Sequence, residues 1–359
     1  MTEPLPPNST IGIIGGGQLG RMLASSAARL GYRTIVLEPD TGAPAAQLCS
    51  GHIVAAYDDA NALRQLADAC DVITYEFENV PKAAADLIEG SNFLFPPGRA
   101  LEVSQDRLVE KSTLQDAGIK VAGFAAIDSA SDLERADAEF GGGVLKTRRF
   151  GYDGKGQKVL KAGEARDYSA ILSELGNAPC ILEELIDFQS EFSIIAARGR
   201  DGEIACFDPA TNVHREGILS TSTVPASLSE EKAEDARRVA HVLLEQLNYV
   251  GVIGVEFFET SDGILVNEFA PRVHNSGHWT REACLVSQFE QHIRAICGLP
   301  LGTAGRHHDC VMYNLIGDDV LDLARWHADR DASLTLYGKA EARAGRKMGH
   351  VTKLGMPRS

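Results

Sequence analysis

No stretch of this 359-residue chain approaches the run of about 18 apolar residues that a membrane-spanning helix needs, so no membrane partner is expected. Positive charge is in short supply: 35 Lys and Arg stand against 50 Asp and Glu, a net charge of −15. Nucleic-acid and anionic-membrane binders need a basic face, so both classes are set aside, although a few local cations can still hold a phosphate inside an acidic protein. The seven cysteines form no CxxC pair, and their odd number fits reduced, mostly buried thiols in a cytoplasmic protein. MTEPLPPNST lacks both the basic start and the apolar centre of a secretory signal, so residues 1–9 are expected as a disordered tail. Hydrophobic residues at 44% and charged residues at 24% are ordinary for a globular protein, and the length suggests two or three domains.

Strand and helix patterns alternate from Thr10 to about Phe95. Ile11–Gly15, Thr34–Glu38 and Val72–Phe77 read as apolar strands, and Gln18–Leu30 and Asp59–Ala69 as helices. That grammar means a doubly wound parallel sheet. Phe95-Pro96-Pro97-Gly98 breaks it and a helix over Ser104–Ala117 follows. Beyond Val121 the pattern changes to hairpins mixed with helices, with Asp-Gly turns at 201–202 and 262–263 and an amphipathic helix over Ser229–Leu247 between them. Gly302–Ser359 forms a smaller third segment.

Gly15-Gly16-Gly17-Gln18-Leu19-Gly20 satisfies GxGxxG between a strand and a helix, with Glu38 ending the second strand. This is the dinucleotide fingerprint with its acidic ribose partner. Its physics asks only for backbone N–H groups and a positive helix end, which serve a nucleotide, a sugar phosphate or a tight structural turn equally.

The second Asp-Gly turn carries more chemistry. Glu256 and Glu268 are equidistant from Asp262, so a symmetric register sets them opposite one another on one hairpin face, with Val255, Phe257, Leu265 and Phe269 on the apolar face. Like charges in that arrangement repel at about 5 Å. Two such carboxylates call for a cation, and oxygen ligands shared with phosphate suit Mg²⁺. A solvated edge, with a bulge or a one-residue slip separating the pair, is the alternative.

Lys146 ends a strand just before Thr147-Arg148-Arg149-Phe150-Gly151-Tyr152-Asp153-Gly154-Lys155-Gly156-Gln157, after which a strand resumes. The loop is not a P-loop, because Gln157-Lys158 follows the second glycine of GxxxxG. It reads as a flap whose N–H groups close over phosphates while Lys146 supplies charge, or else as a plain surface hairpin. Glu183-Glu184-Leu185-Ile186 runs from a strand into a turn whose backbone can meet an adenine edge, and Glu191 can accept from ribose hydroxyls. Directly after the metal strand, Arg272 suits an oxyanion, His274 can donate to it or move a proton, and Asn275 can orient it. Arg346-Lys347 adds a basic turn suited to a phosphate. His307-His308-Asp309-Cys310 has no partners at zinc spacing and is taken as loop.

Together GGGQLGRML, RRFGYDGKGQ, NEFAPRVHNSGHWT, SQFEQHIRAI and GRKMGH resemble, in order and over nearly the whole chain, the 5-(carboxyamino)imidazole ribonucleotide synthase family of ATP-grasp enzymes in purine biosynthesis. The resemblance implies an α/β and α+β protein: a pre-ATP-grasp domain at 10–98, an ATP-grasp core at 99–300 with a flap subdomain at about 121–182, and a small C-terminal domain at 301–359. It implies a ligase that uses ATP and Mg²⁺ or Mn²⁺ to carboxylate the amine of aminoimidazole ribonucleotide with bicarbonate, and a homodimer. By position, ATP meets Arg107, Lys146, Gly151 to Gln157, Glu183 to Ile186, Glu191, His214, Asn267 and Glu268. Aminoimidazole ribonucleotide and bicarbonate meet Gln18, Leu19, Glu76, Asp153, Arg272, His274 and Asn275, and Arg346 and Lys347 take the ribonucleotide phosphate. Phe150 departs from the family's glycine, which implies a stiffer flap. The rivals are a formate-dependent glycinamide ribonucleotide transformylase, an NAD-dependent oxidoreductase and a non-catalytic nucleotide sensor.

Overall fold

Alternating apolar strands and helices at the N-terminal end build a four-stranded parallel sheet in the order Gly51–Ile53, Arg33–Leu37, Thr10–Ile14, Val72–Tyr75. The computed structural model describes residues 3–90, 94–151 and 156–357. Period-2 alternation sends Ile11 and Ile13 to one buried cluster with helix Gln18–Arg29, and Ile14 to another with helices Ala60–Ala69 and Lys82–Glu89. Asp59 starts the second of these helices by accepting from the N–H groups of Asn61 and Ala62.

The disordered tail expected at residues 1–9 is not seen from Leu5 onward. The Leu5 N–H donates to the Cys297 carbonyl at 2.9 Å and the Tyr32 hydroxyl donates to the Leu5 carbonyl at 2.9 Å. Pro4, Pro6 and Pro7 each fix φ and so lower the freedom of the chain, and Leu5 packs on the cluster that contains Ile296 and Cys297.

The helix expected over Ser104–Ala117 is two helices, Gly98–Ser104 and Arg107–Asp116. Asp106 interrupts them by capping the second, its carboxylate accepting from the Leu108 N–H at 3.0 Å. Arg107 thereby stands in the first turn, where its side chain reaches the cavity described below.

A nine-stranded sheet forms the centre, in the order Gly263–Ala270, Gly251–Thr260, Ser190–Arg198, Ala210–Arg215, Ile218–Val224, His308–Ile316, Lys347–Pro357, Ala332–Leu336, with Ile204–Cys206 alongside Ser190–Arg198. The helix Glu230–Gln246 covers one face with Ala236, Ala240, Leu243 and Leu244. The third segment is continuous with this sheet, since Thr221 to Val224 pair with Tyr313 to Cys310. His308-Asp309-Cys310, taken as loop from the sequence, opens a strand there. A separate four-stranded antiparallel sheet, Phe124–Ile127, Cys180–Glu183, Gly143–Thr147 and Gln157–Leu160, carries the flap and is backed by helices Ala130–Phe140 and Tyr168–Glu174.

Candidate active site

A cavity of about 410 Å³ opens between the flap sheet, the central sheet and the loop after Val72–Tyr75. Thirteen residues singled out from the sequence line it: Arg107 on its helix, Lys146, Gly151 and Gln157 on the flap sheet and its loop, Glu191 and His214 on strands of the central sheet, Glu256, Asn267 and Glu268 on the hairpin, and Arg272, His274, Asn275 and Lys347 beyond it. Tyr152, Asp153, Gly154 and Lys155 lie outside the described residues.

Glu256 does pair with Glu268, but not through a symmetric turn. Thr260 faces Gly263, which leaves Ser261-Asp262 as a two-residue loop and on its own would set Glu256 opposite Asn267. A bulge between Glu256 and Phe257 adds one residue and restores the carboxylate pair. The same bulge moves Leu265 off the apolar face, where Ile264 and Val266 sit instead with Val255, Phe257 and Phe269. Burial, and then the charge of Glu268, push the Glu256 carboxyl up to about 7. Burial also disfavours an ionised Glu268, but Arg107 and Lys146 overcome this and hold it at about 2. The Arg107 guanidinium donates to the Glu268 carboxylate at 2.8 Å.

Beneath the pair runs a row of charge in which Lys111 and Glu110 were not read from the sequence. Lys146 and Lys111 flank Glu183 with N···O distances of 3.0 and 3.3 Å, and Lys111 also donates to the Asn267 carbonyl at 2.7 Å. Burial lowers the affinity of Lys146 for its proton, a penalty that Glu183 opposes. Glu110 accepts from the Phe269 N–H at 2.7 Å, and burial followed by repulsion from Glu268 pushes it up to about 8. The signal for both was a Glu110-Lys111 pair on the buried side of an amphipathic helix.

The Arg272 guanidinium lines the cavity and donates to Glu78, a partner the sequence reading missed, and to the Val273 carbonyl at 3.2 Å. Burial and the Arg272 charge bring His274 down to about 3, so its ring is neutral. Asn275 also lines the cavity, and both polar atoms of its side chain are buried without a protein partner. His214 bonds to Glu191, which raises its proton affinity against the cost of burial.

Other expected positions lie away from the cavity lining. Leu19 is 7% exposed within the apolar cluster of its helix, because the helix turns it inward. The glycine loop beside it is closed by the protein's own acids: Glu76 accepts from the Gly17 and Gly20 N–H groups and Glu38 from the Gly16 N–H and the Tyr57 hydroxyl. Glu38 is thus committed to the loop, and a Cβ on Gly17 would stand 2.5 Å from Glu76 Oε1. Gln18 is half-buried at the start of that helix. The Glu183 side chain serves the lysines, and the Glu184 N–H donates to the Gly123 carbonyl at 2.8 Å. Gly156 accepts from the Thr147 N–H at 2.8 Å. Phe150 has φ +62°, a left-handed conformation that glycine adopts freely and a bulky side chain rarely does. Arg346 donates to the Glu341 carbonyl at 3.0 Å. Lys339, missed from the sequence, donates to the Lys347 carbonyl at 2.7 Å, and burial together with Arg346 brings it down to about 8.

The residues fit a hard divalent cation. Two opposed carboxylates meet there, and Asn267 adds a buried amide oxygen with no protein partner. Among the described residues no cluster of three or more His, Cys, Asp or Glu side chains forms a complete cage, so the remaining ligands would come from substrate oxygens.

Comparison with known proteins gives the family. Family models match as a ribonucleotide synthetase preATP-grasp domain at residues 8–105, an ATP-grasp domain at 112–289 and a phosphoribosylaminoimidazole carboxylase C-terminal domain at 310–358. The N5-carboxyaminoimidazole ribonucleotide synthase of Brucella melitensis is 57% identical over 98% of this chain and 97% of its own. The chain belongs to that family of ATP-grasp enzymes. A Bacillus subtilis member is 44% identical over 98% of this chain and 93% of its own. Among solved structures, an ADP complex of a family synthetase superposes with a TM-score of 0.95 at 44% identity, covering 99% of this chain and 94% of that one. The Aspergillus clavatus enzyme in complex with ADP and 5-aminoimidazole ribonucleotide does so with a TM-score of 0.89 at 31% identity, covering 97% and 94%. Family membership removes the oxidoreductase reading, and the occupied Glu38 explains why the fingerprint misleads.

Proposed function

We propose that this chain catalyses the ATP-dependent carboxylation of the exocyclic amine of 5-aminoimidazole ribonucleotide by bicarbonate, giving N5-carboxyaminoimidazole ribonucleotide, ADP and phosphate through carboxyphosphate. One observation carries the reading: an opposed carboxylate pair, a buried lysine and the Arg272-His274-Asn275 group line one cavity. A Mg²⁺ or Mn²⁺ ion held by Glu256, Glu268 and the Asn267 amide oxygen would neutralise phosphate charge. Lys146 and Arg107 hold the polyphosphate, the main chain at 183–186 meets the base, and Glu191 meets the ribose. Bicarbonate oxygen attacks the γ-phosphorus and ADP leaves. The amine then takes the carboxyl carbon and phosphate leaves, with Arg272 and Asn275 gripping the oxyanion and the flap keeping water out. Lys347, on the cavity lining, meets the ribonucleotide phosphate, with Arg346 and Lys339 adding positive charge beside it. A homodimer is part of this reading, as the family resemblance of the sequence implies.

The test is phosphate release from ATP, which should require aminoimidazole ribonucleotide and bicarbonate together and yield one carboxylated product per ATP. Arg272→Ala should lose about two orders of magnitude in that turnover. Normal coupled turnover by Arg272→Ala would remove the arginine from the reaction.

A further inference from the structure

Behind His274 lies a file of buried polar side chains that the proposed chemistry does not use. Ser276 approaches the ring twice, its N–H donating to Nδ1 at 3.4 Å and its hydroxyl standing 2.8 Å from the same nitrogen. A backbone N–H cannot reverse its role, so Nδ1 is an acceptor and the ring proton sits on Nε2. The direction then propagates outward. Ser276 Oγ, its own proton turned to Nδ1, accepts from the Ser193 hydroxyl at 2.7 Å, and Ser193 accepts from the Asn212 amide at 2.9 Å. Asn212 Oδ1 accepts from the Ser222 hydroxyl at 2.8 Å. All four side chains are buried, so no bulk water competes for these bonds.

The sheet makes the file straight. Ser222 faces Asn212 across one strand pair, and Ser193 faces Glu256 across another. The main chain of His274 is fixed separately by Gln288, whose Oε1 accepts from the His274 N–H at 2.9 Å and whose Nε2 donates to the His274 carbonyl at 2.7 Å. His274 Nε2 points into the cavity, 3.5 Å from Glu256 Oε1.

We infer that Ser222, Asn212, Ser193 and Ser276 are positioning residues that lock His274 as the Nε2–H tautomer, so that it serves the cavity as a hydrogen-bond donor and not as a base. This rests on the proposed function for the use of the donor, though not for the lock itself. In the reaction above, the Nε2–H group meets an oxygen of bicarbonate or carboxyphosphate while the proton stays on the ring. The opposite tautomer would turn a lone pair toward that oxygen.

The experiment uses the full-length chain labelled with ¹⁵N. The ring nitrogens of His274 are assigned by their loss in His274→Gln. The wild-type protein should show a protonated Nε2 and an unprotonated Nδ1; a ring protonated on Nδ1 overturns the inference. Asn212→Asp offers acceptors only, to both Ser222 and Ser193, and so reverses the order of donors toward the ring. It should lose the pure Nε2–H pattern and lower kcat by between about tenfold and about a thousandfold, with KM for ATP within about twofold of wild type. An Asn212→Asp protein with wild-type kcat overturns it. If that variant does not fold, His274→Gln against His274→Asn decides. The glutamine amide reaches the place of Nε2 and the asparagine amide that of Nδ1, so glutamine should retain at least about tenfold more kcat. Equal activities, or the reverse order, overturn the proposal. The nitrogen spectrum reads the protein without turnover: an Nε2–H ring in a wild-type protein that carboxylates nothing would sink the proposed function and leave the lock standing.

Discussion

Two places in this chain bring acidic side chains against the backbone of a tight reversal, and they meet opposite fates. At Gly15–Gly20 the carboxylates of Glu76 and Glu38 are consumed by backbone N–H groups and a tyrosine hydroxyl. At the hairpin, Glu256 and Glu268 are set against each other, with Arg107 balancing only one of them. The first arrangement satisfies itself and the second asks for a ligand. The acids of the better-known motif are taken up within the fold, whereas the unnamed pairing lines the cavity.

That contrast can be broken most severely at Glu268. Glu268→Ala should lower kcat/KM for ATP by at least about a thousandfold while the folded chain persists, measured as coupled phosphate release and as the thermal midpoint. The corresponding change in the glycine loop, Glu76→Ala, should act on stability instead. It leaves the Gly17 and Gly20 N–H groups buried without an acceptor, at a cost of about 2 to 4 kcal/mol, and should lower the thermal midpoint by several degrees. An unchanged midpoint would show that the loop does not depend on its carboxylate.

The smallest effect sharpens the comparison through pH. Glu256 ionises near 7 in the folded chain, above its usual 4.5, so the folded state binds this proton more tightly than the unfolded one. Its contribution to stability is full below about pH 4.5 and is lost as pH rises through about 7. Glu256→Gln should flatten the decline in midpoint between pH 5 and 8 that the metal-free wild type shows. Glu268, held near 2, acts in the opposite sense: its contribution is full above about pH 4.5 and is lost as pH falls through about 2. A wild-type and variant pair with equal slopes would remove the repulsion from the account.

The parts of this molecule governed by neighbours in sequence were legible from it. Asp59 and Ser229 were identifiable as helix starts, the parallel sheet followed from its alternation, and the carboxylate pair came from the turn residues. Even that last inference reached the right pairing by way of the wrong turn, because a bulge is a tertiary accommodation that no local pattern announces. Features joined across long separations were not legible. Glu78 and Arg272 meet across a sequence separation of 194, and Lys111 meets Glu183 only once the flap sheet has folded down. Leu19 shows the converse: a position carried over from a motif turned out to be committed to the core.

Finally, the pairing of Thr221–Val224 with Cys310–Tyr313 bears on any attempt to recombine members of the family. A chimera that grafts a foreign piece from residue 310 onward would not exchange a self-contained module. It would replace the three staves at one edge of a barrel-maker's panel, and Lys347, carried on one of them, would line the cavity only if the new strands met the old ones in step.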